Sequence, residues 1–504
     1  MAGSLSFVSN EDTKKLYNHL YQGCSILRGP IYPEEYKTYI SPLLFYKRLC
    51  DEYSREIAIA LEESDGDMQY ALFPENHRFI VSEGNHWNDI RAKSENIGFA
   101  LQTAFRNIER ANPKSLITIF NDFDDAKWSN KERLSDERLK NLLEHFSSLN
   151  LDDSHCPDDV LGQAYEYLIK KFADLTNKKA GEFYTPRSIV SLLVRIIDPQ
   201  PGETVYDPAC GTGGMLIESR RHINDDTACL GKIFGQEKNL STSAIARMNL
   251  YLHGANDFSI MRGDTLRNPV YISRDKLKTF DCVISNPPFS LEGWGSDAWE
   301  SDKYGRNFLG NPPSSSGDFA WIEHMIKSMN PTKGRIAVVL PQGVLFRAGQ
   351  EGKIRESLLE LDLLDTIIGL APNLFYGTGL SACILILRAK KSSERKGKIM
   401  FVDASSVYKK GRAHNEMLID HVEHIFELAT GNADEKGFCR LVPLNEISAN
   451  GNNLNISRYV EVVREENTLS LSEALRNLKQ SVDDANIAEN RLKELLNREG
   501  LLGG

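Results

Sequence analysis

The chain has 504 residues, of which 41% are hydrophobic and 26% are charged. This length corresponds to about three domains of ordinary size, and the composition excludes a disordered or fibrous protein. The formal net charge is −10. Any contact with nucleic acid therefore has to rest on a local basic surface or on a partner, because bulk attraction is absent.

The apolar runs of the sequence are all far shorter than the roughly 18 residues that span a bilayer. The first ten residues lack the basic and then apolar order of a secretion signal. We therefore expect a cytoplasmic protein with no membrane contact. The eight cysteines form no C-x-x-C pair, which argues against a zinc ribbon and a disulfide framework, so no metal site is predicted.

The spacing of apolar residues divides the chain into three regions. Residues 1–155 show three- and four-residue spacing, which predicts a helical N-terminal domain. In residues 156–430, short apolar strands alternate with helices, as is typical of a doubly wound α/β domain. Seven strands are predicted there, at 204–206, 233–236, 259–261, 282–285, 335–340, 363–369 and 383–387.

Residues 431–504 are predicted to form a weakly patterned linker followed by a helix over about 470–497. This helix repeats apolar residues at three- and four-residue steps: Leu471, Leu475, Leu478, Val482, Ala485, Ala488, Leu492 and Leu495. Such a stripe fits a helix packed on its own protein, and it equally fits a coiled-coil-like arm that contacts a partner.

A glycine-rich turn, Asp-Pro-Ala-Cys-Gly-Thr-Gly-Gly at 207–214, follows the first predicted strand. Its glycines lack a Cβ and let the backbone approach a ligand, although such a turn also serves simply to join a strand to a helix. The spacing departs from the fingerprints for NAD and for ATP, which disfavours both. Asp207, at the strand end, is a candidate partner for a cationic amino group.

Two further carboxylates follow the next two strands. Glu237 ends the second strand, where a carboxylate can accept hydrogen bonds from both hydroxyls of a ribose. Asp264 follows the third strand and is a candidate acceptor for an adenine amino group. Either residue alone is compatible with an ordinary loop, but the three strand ends together predict a crevice for adenosine joined to an amino acid, as in S-adenosylmethionine.

The segment Ser-Asn-Pro-Pro-Phe at 285–289 ends the fourth strand. Pro287 and Pro288 have no N–H, so the carbonyls there remain as acceptors. We expect Asn286 Oδ1 and the Pro287 carbonyl to hold the two hydrogens of a planar exocyclic amine, while Phe289 stacks on its ring. An Asn-Pro turn is the plain alternative, but its place at the carboxyl edge of the sheet favours a site.

These motifs resemble those of the amino-methyltransferases, and Gly-Glu-Phe-Tyr-Thr-Pro-Arg at 181–187 makes the resemblance specific. With Ser-Pro-Leu-Leu-Phe-Tyr-Lys-Arg-Leu-Cys at 41–50 and Pro-Asn-Leu-Phe-Tyr-Gly-Thr-Gly at 372–379, the chain resembles the modification subunit of type I restriction-modification systems along essentially its whole length. Only Ala209 departs, at a position that is often aromatic in methyltransferases.

The resemblance implies a Rossmann-like, seven-stranded methyltransferase domain and a catalytic motif at 286–289. It also implies a set of residues that contact S-adenosylmethionine: Glu182, Phe183, Tyr184, Thr185, Pro186, Arg187, Thr212, Gly213, Gly214 and Glu237. The residues themselves predict that Thr185 caps, and Pro186 starts, a helix running to residue 197, whose free N–H groups face the crevice.

Residues 290–317 are rich in Gly, Ser and Pro, so a functional or disordered loop is predicted. Its Trp294, Trp299, Lys303, Tyr304 and Arg306 are either contacts for a nucleotide rotated out of a duplex or loose surface side chains.

The resemblance implies a site-specific DNA adenine methyltransferase that acts on double-stranded DNA with S-adenosylmethionine as cofactor. Its implied partners are a specificity subunit, a second copy of the modification subunit and a restriction subunit that acts as motor and nuclease. Three alternatives stay open: methylation of RNA, methylation of a protein glutamine amide, and a cofactor-binding defence scaffold without turnover. A bifunctional methylase-nuclease is disfavoured, because the chain has no room for both a recognition domain and a nuclease.

Overall fold

A computed structural model describes residues 10–123, 126–176, 185–223, 233–375, 380–411, 414–461 and 471–498. The chain divides into two compact units, Met1–Glu461 and Val462–Gly504, and each is described by itself. None of the helices in the described ranges is long and apolar enough to cross a membrane.

The N-terminal part of the first unit is helical. Its helices are α1 Asn10–Leu27, α2 Tyr36–Glu63, α3 Met68–Ala71, α4 Trp87–Arg91, α5 Ile97–Ala111, α6 Asp136–Ser147 and α7 Asp158–Thr176. Arg48 of α2 is buried and donates to the carbonyl of Cys156 at 3.2 Å and to Asp158 at 2.7 Å, which joins α2 to the start of α7.

The remaining helices of this unit surround a sheet. They are α8 Arg187–Ile197, α9 Gly214–Ile223, α10 Leu240–Leu252, α11 Ser296–Trp299, α12 Asp318–Lys327, α13 Gln350–Glu360, α14 Ile419–Thr430 and α15 Leu444–Ala449. Apolar residues of α10 share one core with α1, α2, α5, α6 and α7. The N-terminal helices therefore pack directly on the sheet domain, next to the helix that follows its second strand.

The strands are β1 Val205–Asp207, β2 Ile233–Glu237, β3 Phe258–Arg262, β4 Ile272–Ser273, β5 Lys276–Leu277, β6 Cys282–Ser285, β7 Arg335–Pro341, β8 Leu364–Gly369, β9 Ala382–Arg388, β10 Lys398–Asp403 and β11 Cys439–Pro443. Nine of them form one sheet in the order β11-β10-β8-β9-β7-β6-β1-β2-β3, and β4 pairs with β5 separately.

The sheet is parallel from β3 through β2, β1 and β6 to β7. Strand β9 runs antiparallel to both of its neighbours, β7 and β8. The chain runs outward from β1 through β2 to β3, and β6 then returns to the other side of β1. The crevice at such a reversal, beyond the carboxyl ends of the strands, is where ligands bind in open α/β sheets.

The seven predicted strands are all present and are adjacent in the sheet, but the predicted total of seven is wrong. Strands β10 and β11 extend the sheet beyond β8 to nine. Strand β11 and helix α15 lie in the stretch 431–461, which was predicted to be a linker. Its pattern is weak because β11 is an edge strand whose residues are only partly buried.

The stretch 431–461 is nevertheless integral to the fold. Tyr459 packs on Phe401 of β10 with ring centroids 4.4 Å apart, and Leu454, Ile456 and Val460 are buried in the same core as the strands. The boundary predicted at residue 430 therefore cuts through one packed unit.

The second unit contains α16, Leu471–Arg498. From Leu475 onward its apolar stripe is exposed: Leu478 is 61% and Leu492 is 56% accessible.

A stacked pair of histidines joins α1 to α6, and it leads us to expect that the stability of the protein depends on pH. His19 and His145 have ring centroids 4.0 Å apart, and each ring contacts the other residue's carbonyl. Burial lowers the pKa of His145. In the unfolded chain His145 has its ordinary pKa and takes up a proton more readily than in the folded protein. The free energy of unfolding is therefore expected to fall as the pH drops below about 6.5.

The variant His145→Phe keeps a ring for stacking and removes the titration. We expect its free energy of unfolding, measured by denaturant titration at about pH 7.5 and pH 5.5, to change less with pH than that of the wild type. An unchanged pH dependence would contradict a half-buried His145 that stays neutral in the folded protein.

Candidate active site

The carboxylate at the end of β1 lies in the interior rather than in solvent. Asp207 is 2% exposed and accepts hydrogen bonds from the Ala209 N–H at 3.0 Å and from the Ser285 hydroxyl at 2.7 Å. Burial raises the pKa of Asp207 to about 7, against the opposing effect of these two bonds. Asp207 thus connects the glycine turn to Ser285, the residue immediately before Asn286.

The glycine turn has the conformation that only glycine adopts readily. Gly211 and Gly213 have φ of 53° and 84°. A Cβ on Gly214, the first residue of α9, would meet no atom within 4 Å, so open space lies beside the start of this helix. The turn therefore presents backbone and a helix N-terminus to the crevice, which is the arrangement expected of a binding turn.

Glu237 is held in place by backbone donors. Its carboxylate accepts from the Gly211 N–H at 3.1 Å and from the Asn239 N–H at 2.7 Å. These bonds tie the end of β2 to the glycine turn on one side and to the start of α10 on the other. Its orientation is therefore fixed before any ligand arrives, as a specific recognition site requires.

Asp264 lies two residues beyond β3 and is already engaged. Its carboxylate pairs with Lys238 Nζ at 2.9 Å and accepts from the Arg267 N–H at 3.2 Å. Lys238 is 72% exposed, so this ion pair contributes little stability and gives way to a ligand at low cost.

Asn286 follows β6 at the same edge and contacts the segment before α8. Its Nδ2 donates to Thr185 Oγ1 at 2.9 Å. Thr185 was predicted to cap α8, but the structure shows no side-chain cap, and α8 begins at Arg187 after Pro186. The Thr185 hydroxyl instead connects the predicted cofactor segment to the predicted catalytic segment.

Asn286 Oδ1 is buried, and no hydrogen-bond partner lies near it among the residues that the structure describes. Leaving a buried amide oxygen unpaired costs about 1–3 kcal/mol. Such an atom, at the carboxyl edge of the sheet and beside two proline carbonyls, is positioned to accept from a ligand that donates N–H groups.

The end of the motif is clamped by a buried carboxylate. Asp318 is fully buried, accepts from the Ser290 N–H at 2.8 Å and pairs with Arg347 at 2.8 Å. Phe289 packs edge-on against Phe375, with ring centroids 5.9 Å apart. The backbone that follows Pro288 is therefore held from two sides.

The loop 290–317 is a packed element, and for three of its side chains both predicted alternatives are wrong, because they are buried and are neither loose on the surface nor open to a nucleotide. Trp294 and Trp299 are buried against each other at 5.1 Å, and buried Arg306 lies 4.4 Å over the Trp299 ring. Arg306 also donates to the carbonyls of Thr265 and Leu266 at 2.9 and 2.8 Å. Lys303 remains exposed and lies over the ring of Tyr304, which is half-buried.

Sequence reasoning missed the partners of Arg187. This side chain pairs with Glu166 of α7, which also contacts His253 Nε2 at 3.3 Å. Burial alone raises the pKa of Glu166, but His253 and Arg187 outweigh it and lower the pKa to about 2. The only sign of this pairing in the sequence is that Glu166 lies on the apolar face of the predicted helix that became α7.

The structure therefore brings together Asp207, Glu237 and Asn286 directly with the glycine turn and Thr185. Glu182, Phe183 and Tyr184 lie outside the described residues. The described residues include no cluster of three or more His, Cys, Asp or Glu arranged to hold a metal ion. The roles assigned to individual residues remain predictions.

Comparison with known proteins agrees with this geometry. Residues 156–468 match the N-6 DNA methylase family model, and residues 16–146 match the HsdM N-terminal domain. The type I restriction enzyme MjaVII methylase subunit of Methanocaldococcus jannaschii is 32% identical over 87% of this chain and 77% of its own length. The HindI methylase subunit of Haemophilus influenzae is 33% identical over 64% of this chain and 73% of its own.

The methyltransferase subunit of a type I restriction-modification system from Streptococcus thermophilus, known from a crystal structure, is 30% identical in sequence to this chain. It covers 89% of this chain and 100% of its own, with a TM-score of 0.77. The chain belongs to the N-6 DNA methylase family, among the methylase subunits of type I restriction enzymes. The predicted family, α/β fold class and activity, an adenine-specific DNA methyltransferase serving as a modification subunit, are confirmed.

Proposed function

We propose that S-adenosylmethionine binds in the crevice between the glycine turn and Glu237, and that an adenine rotated out of double-stranded DNA is methylated there on its exocyclic nitrogen. The observation that carries this proposal is the buried Asn286 Oδ1 at the carboxyl edge of the sheet, which has no hydrogen-bond partner among the described residues. A flipped adenine brings the N–H group that this atom lacks.

The chain's residues fit the cofactor. Glu237 offers a fixed carboxylate for the ribose hydroxyls, Asp264 an acceptor for the adenine amino group, and Gly214 the open space at the start of α9. When bound, S-adenosylmethionine supplies a methyl group activated by its positive sulfur. Asp207 adds a carboxylate, and a cation nearby would favour the ionised form of this carboxylate.

The catalytic segment acts by positioning. Asn286 Oδ1 and the Pro287 carbonyl would each accept one N–H of the adenine amino group, which turns the nitrogen lone pair out of conjugation with the ring. Phe289 would stack on the base. Orientation of this kind supplies a large part of a rate enhancement, so this mechanism needs no strong base.

We infer that the chain methylates adenine as one subunit of a larger assembly. The relatives named above are subunits of type I restriction enzymes. We infer that this chain likewise works with a specificity subunit, a second modification subunit and a restriction subunit on double-stranded DNA. The net charge of −10 supports this division of labour, because the DNA contacts then rest largely on partners.

The exposed stripe of α16 suits the contact with the specificity subunit. We expect Leu478→Glu with Leu492→Glu to weaken this association more than tenfold, because two charges would replace large apolar side chains in the contact. Gln480→Glu with Asn490→Glu adds the same charge on the other side of the helix and is the matched control. Equal binding by both double variants in a pull-down titration would contradict a partner-binding stripe.

Transfer of a tritiated methyl group to plasmid DNA, with and without the specificity subunit, tests the proposed function. We expect labelling that depends on the specificity subunit and is lost in Asn286→Ala and Phe289→Ala. Labelling of RNA or of a glutamine-containing peptide instead of DNA would overturn the substrate. Cofactor binding without any transfer in the reconstituted complex would support a scaffold.

A further inference from the structure

A second buried amide oxygen without a partner among the described residues lies next to the glycine turn, outside every motif of the sequence. Asn249 of α10 is fully buried. Its Nδ2 donates to the carbonyl of Thr212 at 2.9 Å, and its Oδ1 has no hydrogen-bond partner within the part of the chain that the structure describes.

The orientation of this amide follows from its partner. The Thr212 carbonyl only accepts, so the amide must turn its NH₂ group toward it and its oxygen away from it. The oxygen is therefore an acceptor by necessity, and no rotation of the amide can satisfy both ends with the residues in place.

Asn249 lines a small cavity of about 30 Å³ together with Thr185, Thr212, Gly214, Glu166 and Glu218. This volume suits one water molecule or one small polar group. Three of the lining residues are charged: two carboxylates, Glu166 and Glu218, and Arg187, which is paired with Glu166, so the lining keeps a net negative charge. The surroundings favour a compact cationic donor over an anion.

We propose that Asn249 is a specificity-determining residue whose Oδ1 accepts a hydrogen bond from the α-ammonium group of the cofactor's amino-acid portion. The cavity touches both the glycine turn and Thr185, so it adjoins the crevice that holds the cofactor. This inference rests on the proposed function, in that the ligand is S-adenosylmethionine.

The proposed contact would also link the ammonium group of the ligand to the backbone of the glycine turn. A hydrogen bond at Oδ1 polarises the amide and strengthens its bond to the Thr212 carbonyl, which lies in the glycine turn. Asn249 thus recognises the amino acid and at the same time steadies the turn that approaches it.

Two ligands that differ only in the ammonium group test this assignment by calorimetric titration. They are S-adenosylhomocysteine and its analogue with hydrogen in place of the α-amino group. We expect the wild type to bind the first at least about tenfold more tightly, as a hydrogen bond to a charged group implies. In Asn249→Leu this preference should fall to within about twofold. The lost bond to the Thr212 carbonyl adds a smaller loss of affinity, which both ligands share.

Asn249→Asp is the companion variant, because it keeps an acceptor toward the cavity while it loses the donor to Thr212. We expect it to retain the preference for the ammonium ligand. If Asn249→Leu keeps the full preference, or weakens both ligands equally, the assignment is wrong and the amide is only structural. A water molecule on Oδ1 in a crystal of the S-adenosylhomocysteine complex would also overturn it.

Failure of the cofactor assignment within the proposed function has a different signature, because the wild type then binds neither ligand. If instead Asp207→Asn abolishes the preference while Asn249→Leu preserves it, the ammonium group belongs to Asp207 and this inference fails, whereas the proposed cofactor stands.

Discussion

The variant Asn286→Ala is expected to lose methyl transfer by about a hundredfold or more, with its affinity for S-adenosylmethionine within about threefold of the wild type. Alanine removes both the buried Oδ1, which has no partner within the described residues, and the donor to Thr185. Because both act on the position of the amine, the loss should fall on the rate of the chemical step, measured as single-turnover transfer to a DNA duplex with the specificity subunit present.

Asn311→Ala is the matched control for this experiment. Its Oδ1 is also buried and lacks a partner within the described residues, but it lies in the loop 290–317 rather than at a strand end. We expect it to retain near-normal transfer. Comparable losses in the two variants would show that the effect is one of packing, and an active Asn286→Ala would remove Asn286 from the mechanism.

The variant Glu237→Gln is expected to bind S-adenosylmethionine about ten- to a hundredfold more weakly, because charged acceptors contribute about 1.5–3 kcal/mol per hydrogen bond. The amide has only one acceptor oxygen, so it cannot serve the N–H groups of Gly211 and Asn239 as the carboxylate does. The expected loss thus combines weaker ribose contacts with a looser glycine turn.

Calorimetric titration of the cofactor measures this effect directly. Asp257→Asn, an exposed carboxylate just before β3, removes the same charge at the opposite end of the neighbouring strand. We expect this control to bind like the wild type. Unaltered affinity of Glu237→Gln would place the ribose elsewhere.

The sequence was most informative where chemistry and backbone geometry coincide. The glycine turn, Glu237 and Asn286 each lie at the carboxyl end of a buried strand, so the predicted strand ends were enough to place them at one edge of the sheet. Long apolar strands such as β7 and β9 were equally predictable, because burial on both faces leaves a continuous apolar run.

Partnerships across long sequence separations could not be predicted. Nothing in a linear pattern indicates that Thr185 accepts from Asn286 rather than capping α8, or that Glu166 pairs with Arg187. The loop 290–317 was misjudged for the same reason, since its tryptophans are buried by contacts with each other and with Arg306. Strand β11 was missed because an edge strand needs only a few buried residues.

Identification of the methylated nucleoside tests the central claim most directly. Plasmid DNA would be incubated with the chain, its specificity subunit and labelled S-adenosylmethionine, then digested to nucleosides and separated by chromatography with mass detection. The account predicts label in N6-methyladenosine of the deoxy series alone, and none with Asn286→Ala. Label in a methylated cytosine, or DNA without label beside a labelled RNA or protein, would contradict it.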